Sequence, residues 1–217
     1  MNAKKKKVLI VDEHPVVRQG LAQLIRQEQD MTVCGEADHG KGISEVITQV
    51  KPDIVILDLT LKDISGIDVI KELTPRFPQL PILVLSIHAE SLYAERALRA
   101  GAKGYIMKEE AANKVVGALR EVLRGELYVG EKIKARLLSK ALGAAKPGAS
   151  PLEVLSDREL EVFRLLGQGY STRRIAERFN RSIKTVEIYR ANIKQKLSLK
   201  DAAELIHCAV RWAQAPN

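Results

Sequence analysis

Several residues able to do chemistry stand directly after short apolar runs. Val8-Leu9-Ile10-Val11 is followed by Asp12 and Glu13, and Ile54-Val55-Ile56-Leu57 by Asp58. Two further runs close on a hydroxyl and an amine: Ile82-Leu83-Val84-Leu85 on Ser86, and Gly104-Tyr105-Ile106-Met107 on Lys108. Carboxylates attack electrophiles or hold cations, a hydroxyl both donates and accepts, and an ammonium offsets anionic charge. Taken singly, each has an ordinary explanation. A strand-end Asp caps a turn, Ser86 caps a helix, Lys108 is a solvated helix-start lysine, and Tyr105 is a half-buried strand aromatic. Their joint placement at strand ends favours a shared site.

The runs themselves fix that placement. Consecutive apolar, β-branched residues read as strands covered on both faces, as in parallel sheets. A weaker strand is expected over Met31–Ala37. Helical spacing fills the intervals: from Pro15 with Val17, Leu21, Leu24 and Ile25; over Gly42–Val50; through Ile67, Ile70 and Leu73, ending before Pro75; over Leu92–Ala100; and over Glu110–Arg124. Five strands alternating with five helices imply a doubly wound α/β domain with right-handed crossovers. In the flavodoxin-like strand order 2-1-3-4-5, strands one and three meet at the topological switch point, so Asp12, Glu13 and Asp58 converge. Three carboxylates packed together repel, and a hard divalent cation with oxygen ligands, Mg²⁺, is the economical remedy.

The 217 residues, 46% hydrophobic and 29% charged, suffice for one large domain or two small ones. No apolar run approaches the roughly 18 residues of a membrane span, and Lys4-Lys5-Lys6-Lys7 leads straight into a strand without a signal-peptide core. A cytoplasmic protein without a membrane partner is expected. Cys34 and Cys208 have no metal-ligand spacing and read as reduced structural thiols. The net charge is +8, and residues 171–200 carry nine Lys/Arg against two Glu. That concentration is the footprint of a nucleic-acid phosphate contact, with a solvated helical face as the plainer alternative.

Past residue 125 the pattern is helical. Leu127 to Leu142 reads as an amphipathic connector, with membrane-surface or partner binding as a less favoured role, and Gly143–Pro151 reads as a Gly/Pro linker. The expected organisation is an α/β domain over 1–125, a helical connector and linker over 126–150, and an all-α domain over 151–217. In the last, Ser156 and Glu159 form a capping box ahead of Leu160, Phe163 and Leu166; Ser171, Ser182 and Asp201 open three further helices. Two helices joined by a short turn, the second rich in Lys and Arg, suggest a helix-turn-helix.

The first domain resembles the receiver domain of two-component response regulators: an acidic pair after strand one, Asp after strand three, Ser or Thr after strand four, Lys after strand five, with Thr60, Gly66 and Tyr105 also in place. The resemblance implies that Asp58 is the phosphoacceptor, that Asp12, Glu13 and Asp58 hold Mg²⁺, and that Lys108 pairs with the carboxylate or phosphoryl group. It also implies that Ser86 swings toward the phosphate while Tyr105 rotates inward, and that a sensor histidine kinase is a partner. The second domain resembles the LuxR-type four-helix DNA-binding domain through Leu155–Val162, Gly169, Ser171, Ile175-Ala176, Ser182, Lys184-Thr185-Val186, Arg190 and Lys196-Leu197. Together the two resemble the NarL/FixJ group.

That resemblance makes residues 183–196 a recognition helix for the major groove of promoter DNA. Val186, Ile193 and Leu197 should face the core, which turns Lys184, Glu187, Ile188, Ala191 and Lys194 outward. Lys184, Arg190, Lys194 and Lys196 are assigned to phosphates, as are Ser182 and Thr185 at the helix start. Glu187 stands where many relatives have Lys, so a base contact there would go to cytosine N4 or be missing. Tyr189 replaces a common His. The expectation is a regulator that homodimerises when phosphorylated and is no enzyme beyond its own phosphoryl transfer. The last helix near Leu205 and Ala209 is a candidate dimer surface, with a plain core face as the alternative. A rival from another class is a phosphotransfer enzyme or phosphate-responsive module whose basic helix meets an acidic protein.

Overall fold

The computed structural model describes residues 4–142 and 150–214. The chain divides into two compact units, residues 1–145 and 146–217. In the first, β1 (Lys6–Val11), β2 (Met31–Ala37), β3 (Ile54–Asp58), β4 (Ile82–Ser86) and β5 (Gly104–Met107) form a parallel sheet in the order β2-β1-β3-β4-β5. Between and after them run α1 (Pro15–Arg26), α2 (Ile43–Val50), α3 (Gly66–Arg76), α4 (Glu90–Ala100), α5 (Ala111–Leu123) and α6 (Glu131–Ala141).

Alternation along the strands sorts the core onto two faces. Val8, Ile10, Ile54, Ile56, Leu83, Leu85 and Ile106 pack with Leu21 and Ile25 of α1 and Val115, Leu119 and Val122 of α5. Every residue of β3 and β4 is buried, which accounts for their unbroken apolar reading. The register Val11↔Leu57 and Asp58↔Leu85 brings the carboxyl ends of β1, β3 and β4 level. Gly66 is required where α3 begins: a Cβ there would lie 2.5 Å from the carbonyl oxygen of Asp58 and from Leu59 Cα.

Two expectations need correcting. Helix α3 does not stop before Pro75 but runs to Arg76, because Phe77 N–H still closes on the Leu73 carbonyl at 2.8 Å. The helical part of the expected connector, α6, belongs to the first unit. It buries Ile133, Glu90 of α4 accepts from Gly130 N–H at 2.5 Å, and Lys140 and Arg136 reach Glu95 of α4 at 2.6 and 3.3 Å. Of the expected linker, residues 143–149 lie outside the described residues.

The second unit contains α7 (Asp157–Gly167), α8 (Thr172–Phe179), α9 (Ile183–Lys196) and α10 (Ala202–Gln214). Serines cap three of them: Ser156 in a full capping box with Glu159, Ser171, and Ser182; the Asp201 carboxylate accepts from Glu204 N–H at 2.8 Å ahead of α10. Phe163, Leu160, Ile175, Val186, Ile193, Leu205 and Ala209 are buried, and Phe163 meets Trp212 at 5.9 Å between ring centroids. Leu205 and Ala209 are therefore core residues, and the candidate dimer surface cannot be built on them. Asn180, in the left-handed region (φ 50°), makes the turn between α8 and α9. Among the described residues no helix is long and apolar enough to cross a membrane.

Candidate functional site

Asp12 follows the last residue of β1, Asp58 and Ser86 end β3 and β4, and Lys108 follows β5. Parallel pairing therefore delivers all four to one end of the sheet. Lys108 Nζ sits 2.6 Å from Asp12 Oδ2 and 2.7 Å from Asp58 Oδ2, bridging two carboxylates that are 1% exposed. The pair is oriented from several sides. Asp58 Oδ1 accepts from Thr60 N–H at 3.0 Å, Asp12 Oδ1 accepts from His14 N–H at 2.8 Å, and Arg18 anchors the Asp12 carbonyl at 2.7 Å. Two buried carboxylates against one ammonium leave the pocket net negative.

Burial pushes the Asp58 carboxyl up to about 6, against the pull of the Lys108 ammonium and with Asp12 adding to the rise. Asp12 Oδ2, buried, meets the Lys108 ammonium at 2.6 Å. A carboxylate destabilised by desolvation and by a second buried carboxylate beside it is what a hard divalent cation would relieve, so the donor set fits Mg²⁺. The atoms that lie within 4.8 Å of one another come from Asp12, Asp58 and His14. Glu13 stands beside them, with its Oε1 3.9 Å from His14 Nε2 and its side chain 17% exposed.

Ser86 is fully buried, and its hydroxyl accepts from His88 N–H at 3.1 Å. Tyr105 is buried as well, its hydroxyl donating to the His88 carbonyl at 2.7 Å. Burial raises its phenol, which the neighbouring Ser86 hydroxyl opposes. Tyr105 thus lies inward in this structure. His88 joins these groups: its Nε2 lies 3.0 Å from Thr60 Oγ1, and its ring stacks on Tyr93 of α4 at 4.6 Å.

In the second unit, α9 turns Val186 and Ile193 into the core and leaves Lys184, Glu187, Ile188 and Ala191 exposed, with Lys194 half-buried. Ile188 is 52% exposed, unusual for a large apolar side chain. Ser182 and Thr185 are bonded to each other at the helix start, 2.9 Å between hydroxyl oxygens. Two of the expected phosphate contacts are already engaged. Arg190 donates to Thr172 Oγ1 of α8 and to Glu187 Oε1, and Lys196 donates to buried Glu159 at 2.6 Å. Both staple α9 to its neighbours, whereas Lys184 is exposed on the outer face.

Residues 8–120 match the response regulator receiver domain, and residues 153–209 match the luxR family of bacterial regulatory proteins. The oxygen regulatory protein NreC of Staphylococcus carnosus is 34% identical over 210 residues, 94% of this chain and 97% of that protein. The chain belongs to the response regulators. NreC of Staphylococcus epidermidis is 33% identical over 211 residues with the same coverage. Among solved structures, RcsB from Salmonella enterica serovar Typhimurium bound to promoter P1flhDC in the presence of the phosphomimetic BeF3⁻ matches with a TM-score of 0.72. It is 26% identical, covering 96% of this chain and 100% of that one. A further RcsB–DNA complex gives a TM-score of 0.70 at 26% identity, covering 94% and 98%. This response regulator therefore combines a receiver domain with a LuxR-type DNA-binding domain, as in the NarL/FixJ group, a family of transcription regulators and not of enzymes.

Sequence reasoning missed two residues of the regulator's pocket. His14 reads as the residue before a helix-starting proline, and nothing in its spacing says that its ring will turn toward Asp12 and Asp58. His88 sits in a short loop without periodicity; its one signal is its place two residues after Ser86.

Proposed function

We propose that Asp58 accepts a phosphoryl group and that its state controls binding of α9 to promoter DNA. The observation that carries the reading is the pair of almost fully buried carboxylates, Asp12 and Asp58, bridged by Lys108 at adjoining strand ends. The Asp58 carboxylate attacks the phosphorus of a small donor or a sensor histidine kinase, and the donor's own bond to phosphorus breaks as its leaving group departs. Raised by burial to about 6, the Asp58 carboxyl is still mostly ionised at neutral pH. Asp12, Glu13 and Asp58 would hold Mg²⁺, which when bound supplies positive charge beside the transferring oxygens. Lys108 moves from bridging two carboxylates to pairing with the phosphoryl oxygens. Ser86 gives up His88 N–H to donate its hydroxyl to the new anion. With Tyr105 already inward, the change passes through the His88 loop and its stack on Tyr93 into α4.

On the output side, exposed Lys184 and half-buried Lys194 meet phosphates, while Glu187, Ile188 and Ala191 face base edges. Ser182 and Thr185 lie at the positive end of α9, and Arg190 and Lys196 reach a phosphate only by sharing or leaving their present partners. The DNA-bound RcsB structures, one of them on a promoter, support duplex DNA as the target. Dimerisation on phosphorylation would double these contacts across a two-fold and suit paired half-sites. The experiment is labelling of the full chain with radioactive acetyl phosphate in MgCl₂. Label lost in Asp58→Asn and kept in Ser86→Ala supports the assignment; label kept in Asp58→Asn refutes it.

A further inference from the structure

The basic helix α9 carries a single acid. Residues 171–200 hold nine Lys/Arg against Glu177 and Glu187. Glu177 lies on α8, where Arg173 of the same helix reaches it at 3.3 Å, and Glu187 is the one carboxylate of α9. It stands on the exposed face with Lys184, Ile188 and Ala191. A carboxylate brought into the groove of a polyanion meets repulsion from the phosphates and gives up water, so it is tolerated only where the groove offers it a donor. Its place is set from within the fold. Arg190 Nη1 donates to Glu187 Oε1 at 3.2 Å and also to Thr172 Oγ1, at the start of α8. The arginine side chain is 16% exposed and that of Glu187 53%, so the cation sits behind the acid and the acid faces out.

The series Thr172, Arg190, Glu187 ties the carboxylate to the neighbouring helix and offsets part of its charge. An ionised carboxylate has about four lone-pair sites, so holding the arginine leaves it acceptor capacity for a base. The four bases differ in what they show it. In the major groove guanine presents two acceptors, adenine an acceptor beside its amino group, and thymine an acceptor and a methyl; cytosine alone presents only a donor, its N4 amino group. We propose that Glu187 determines specificity by requiring cytosine at one position of each half-site, where it accepts from N4–H. The inference rests on the reading of α9 as the helix that faces base edges, and adds the base that one of its positions demands. Ile188, with neither donor nor acceptor on its side chain, reads a separate position, so the two contributions can be told apart.

The experiment is selection from random duplexes by the full chain in acetyl phosphate and MgCl₂, with wild type, Glu187→Ala, Glu187→Gln and Lys184→Ala run side by side. Wild type should enrich a cytosine that Glu187→Ala leaves undefined. Glu187→Gln should move that position toward adenine, whose N6 and N7 a glutamine amide meets with both its groups. Lys184→Ala should weaken every duplex and keep the cytosine. Affinities on the enriched duplex then test the atom. N4-methylcytosine at that position keeps the base pair but puts a methyl in place of the groove-facing N–H. It should weaken wild type about fivefold or more, the low end of a single base-pair change, and Glu187→Ala less than about twofold. A carboxylate that served only to hold Arg190 would cost affinity equally on all duplexes; that result, or an enriched site in which no cytosine responds to Glu187, overturns the inference and leaves duplex binding standing. Failure of wild type to enrich any duplex overturns the reading of α9 together with it.

Discussion

Asp58 should make the receiver less stable as pH rises, and the size of the effect follows from its burial. Its carboxyl titrates at about 6 in the fold against 3.8 for an unperturbed aspartate, with desolvation the main cause. Between those values the native chain keeps a proton that the unfolded chain has released, so the unfolded state binds fewer protons and stability falls with rising pH. The contribution is fully present below about pH 4, is lost through about pH 6, and amounts to about 3 kcal/mol at roughly 1.4 kcal/mol per unit. Asp58→Asn is neutral throughout and close in shape. Urea unfolding of both proteins in chelator, stepped from about pH 4 to about pH 7, isolates the term as a difference. The single tryptophan, Trp212, reports the second unit, so the receiver transition is the part of the circular dichroism change that fluorescence does not follow. The stability of Asp58→Asn relative to wild type should grow by about 3 kcal/mol over that window and level off above it, and MgCl₂ should return much of the difference to the wild type. A difference that stays constant from about pH 4 to about pH 7 would refute the claim that the pocket desolvates this carboxylate. Asp30, Asp63, Glu95 and Glu159, all shifted downward, contribute the opposite slope to both proteins and cancel.

Other perturbations give equally definite outcomes. Glu159→Ala removes the acceptor of Ser156 N–H and of Lys196 Nζ; it should cost the second unit about 2 kcal/mol, read by Trp212 fluorescence, since half a capping box and one charge-assisted bond are lost while Lys196 regains water. Lys184→Ala should weaken binding to all duplexes about equally and lower the salt slope of the full chain by about one, whereas Ile188→Ala should change discrimination between sequences. Glu95→Gln weakens the ion pairs from α6 to α4 and should speed amide exchange over Glu131–Ala141 without altering the strands. Gly66→Ala should destabilise the receiver, because its Cβ would meet backbone that cannot yield.

The sheet was legible in the sequence because parallel strands buried on both faces must be continuously apolar, and β3 and β4 are. The flavodoxin-like order expected of such a doubly wound sheet is the order found, and Asp12, Asp58 and Lys108 do meet at one end. The caps of the second unit were legible as well, since Ser156, Ser171 and Ser182 act within three residues of themselves. What periodicity could not carry were contacts between distant elements. Lys140 and Arg136 lie in the stretch read as an amphipathic connector, yet both reach Glu95, more than forty residues away, and draw α6 onto α4. Arg190 and Lys196 were assigned to phosphates from their place on a basic helix, and their partners Thr172 and Glu159 lie on α8 and α7. His14 and His88 entered the pocket through backbone commitments, His14 N–H to Asp12 and His88 N–H to Ser86, which side-chain patterns do not encode. The strand pattern around Tyr105 gives its burial but not its rotamer.

Linkage between the pocket and the basic helix is tested most directly by duplex affinity of the full chain at fixed salt, measured with and without acetyl phosphate and MgCl₂. Fragments enriched from random duplexes serve as ligand, and wild type is run beside Asp58→Asn. The account predicts tighter binding by phosphorylated wild type, about 10²-fold if two chains then share paired half-sites, and no response in Asp58→Asn. Stoichiometric labelling of Asp58 with unchanged duplex affinity, or the same gain in Asp58→Asn, would contradict it.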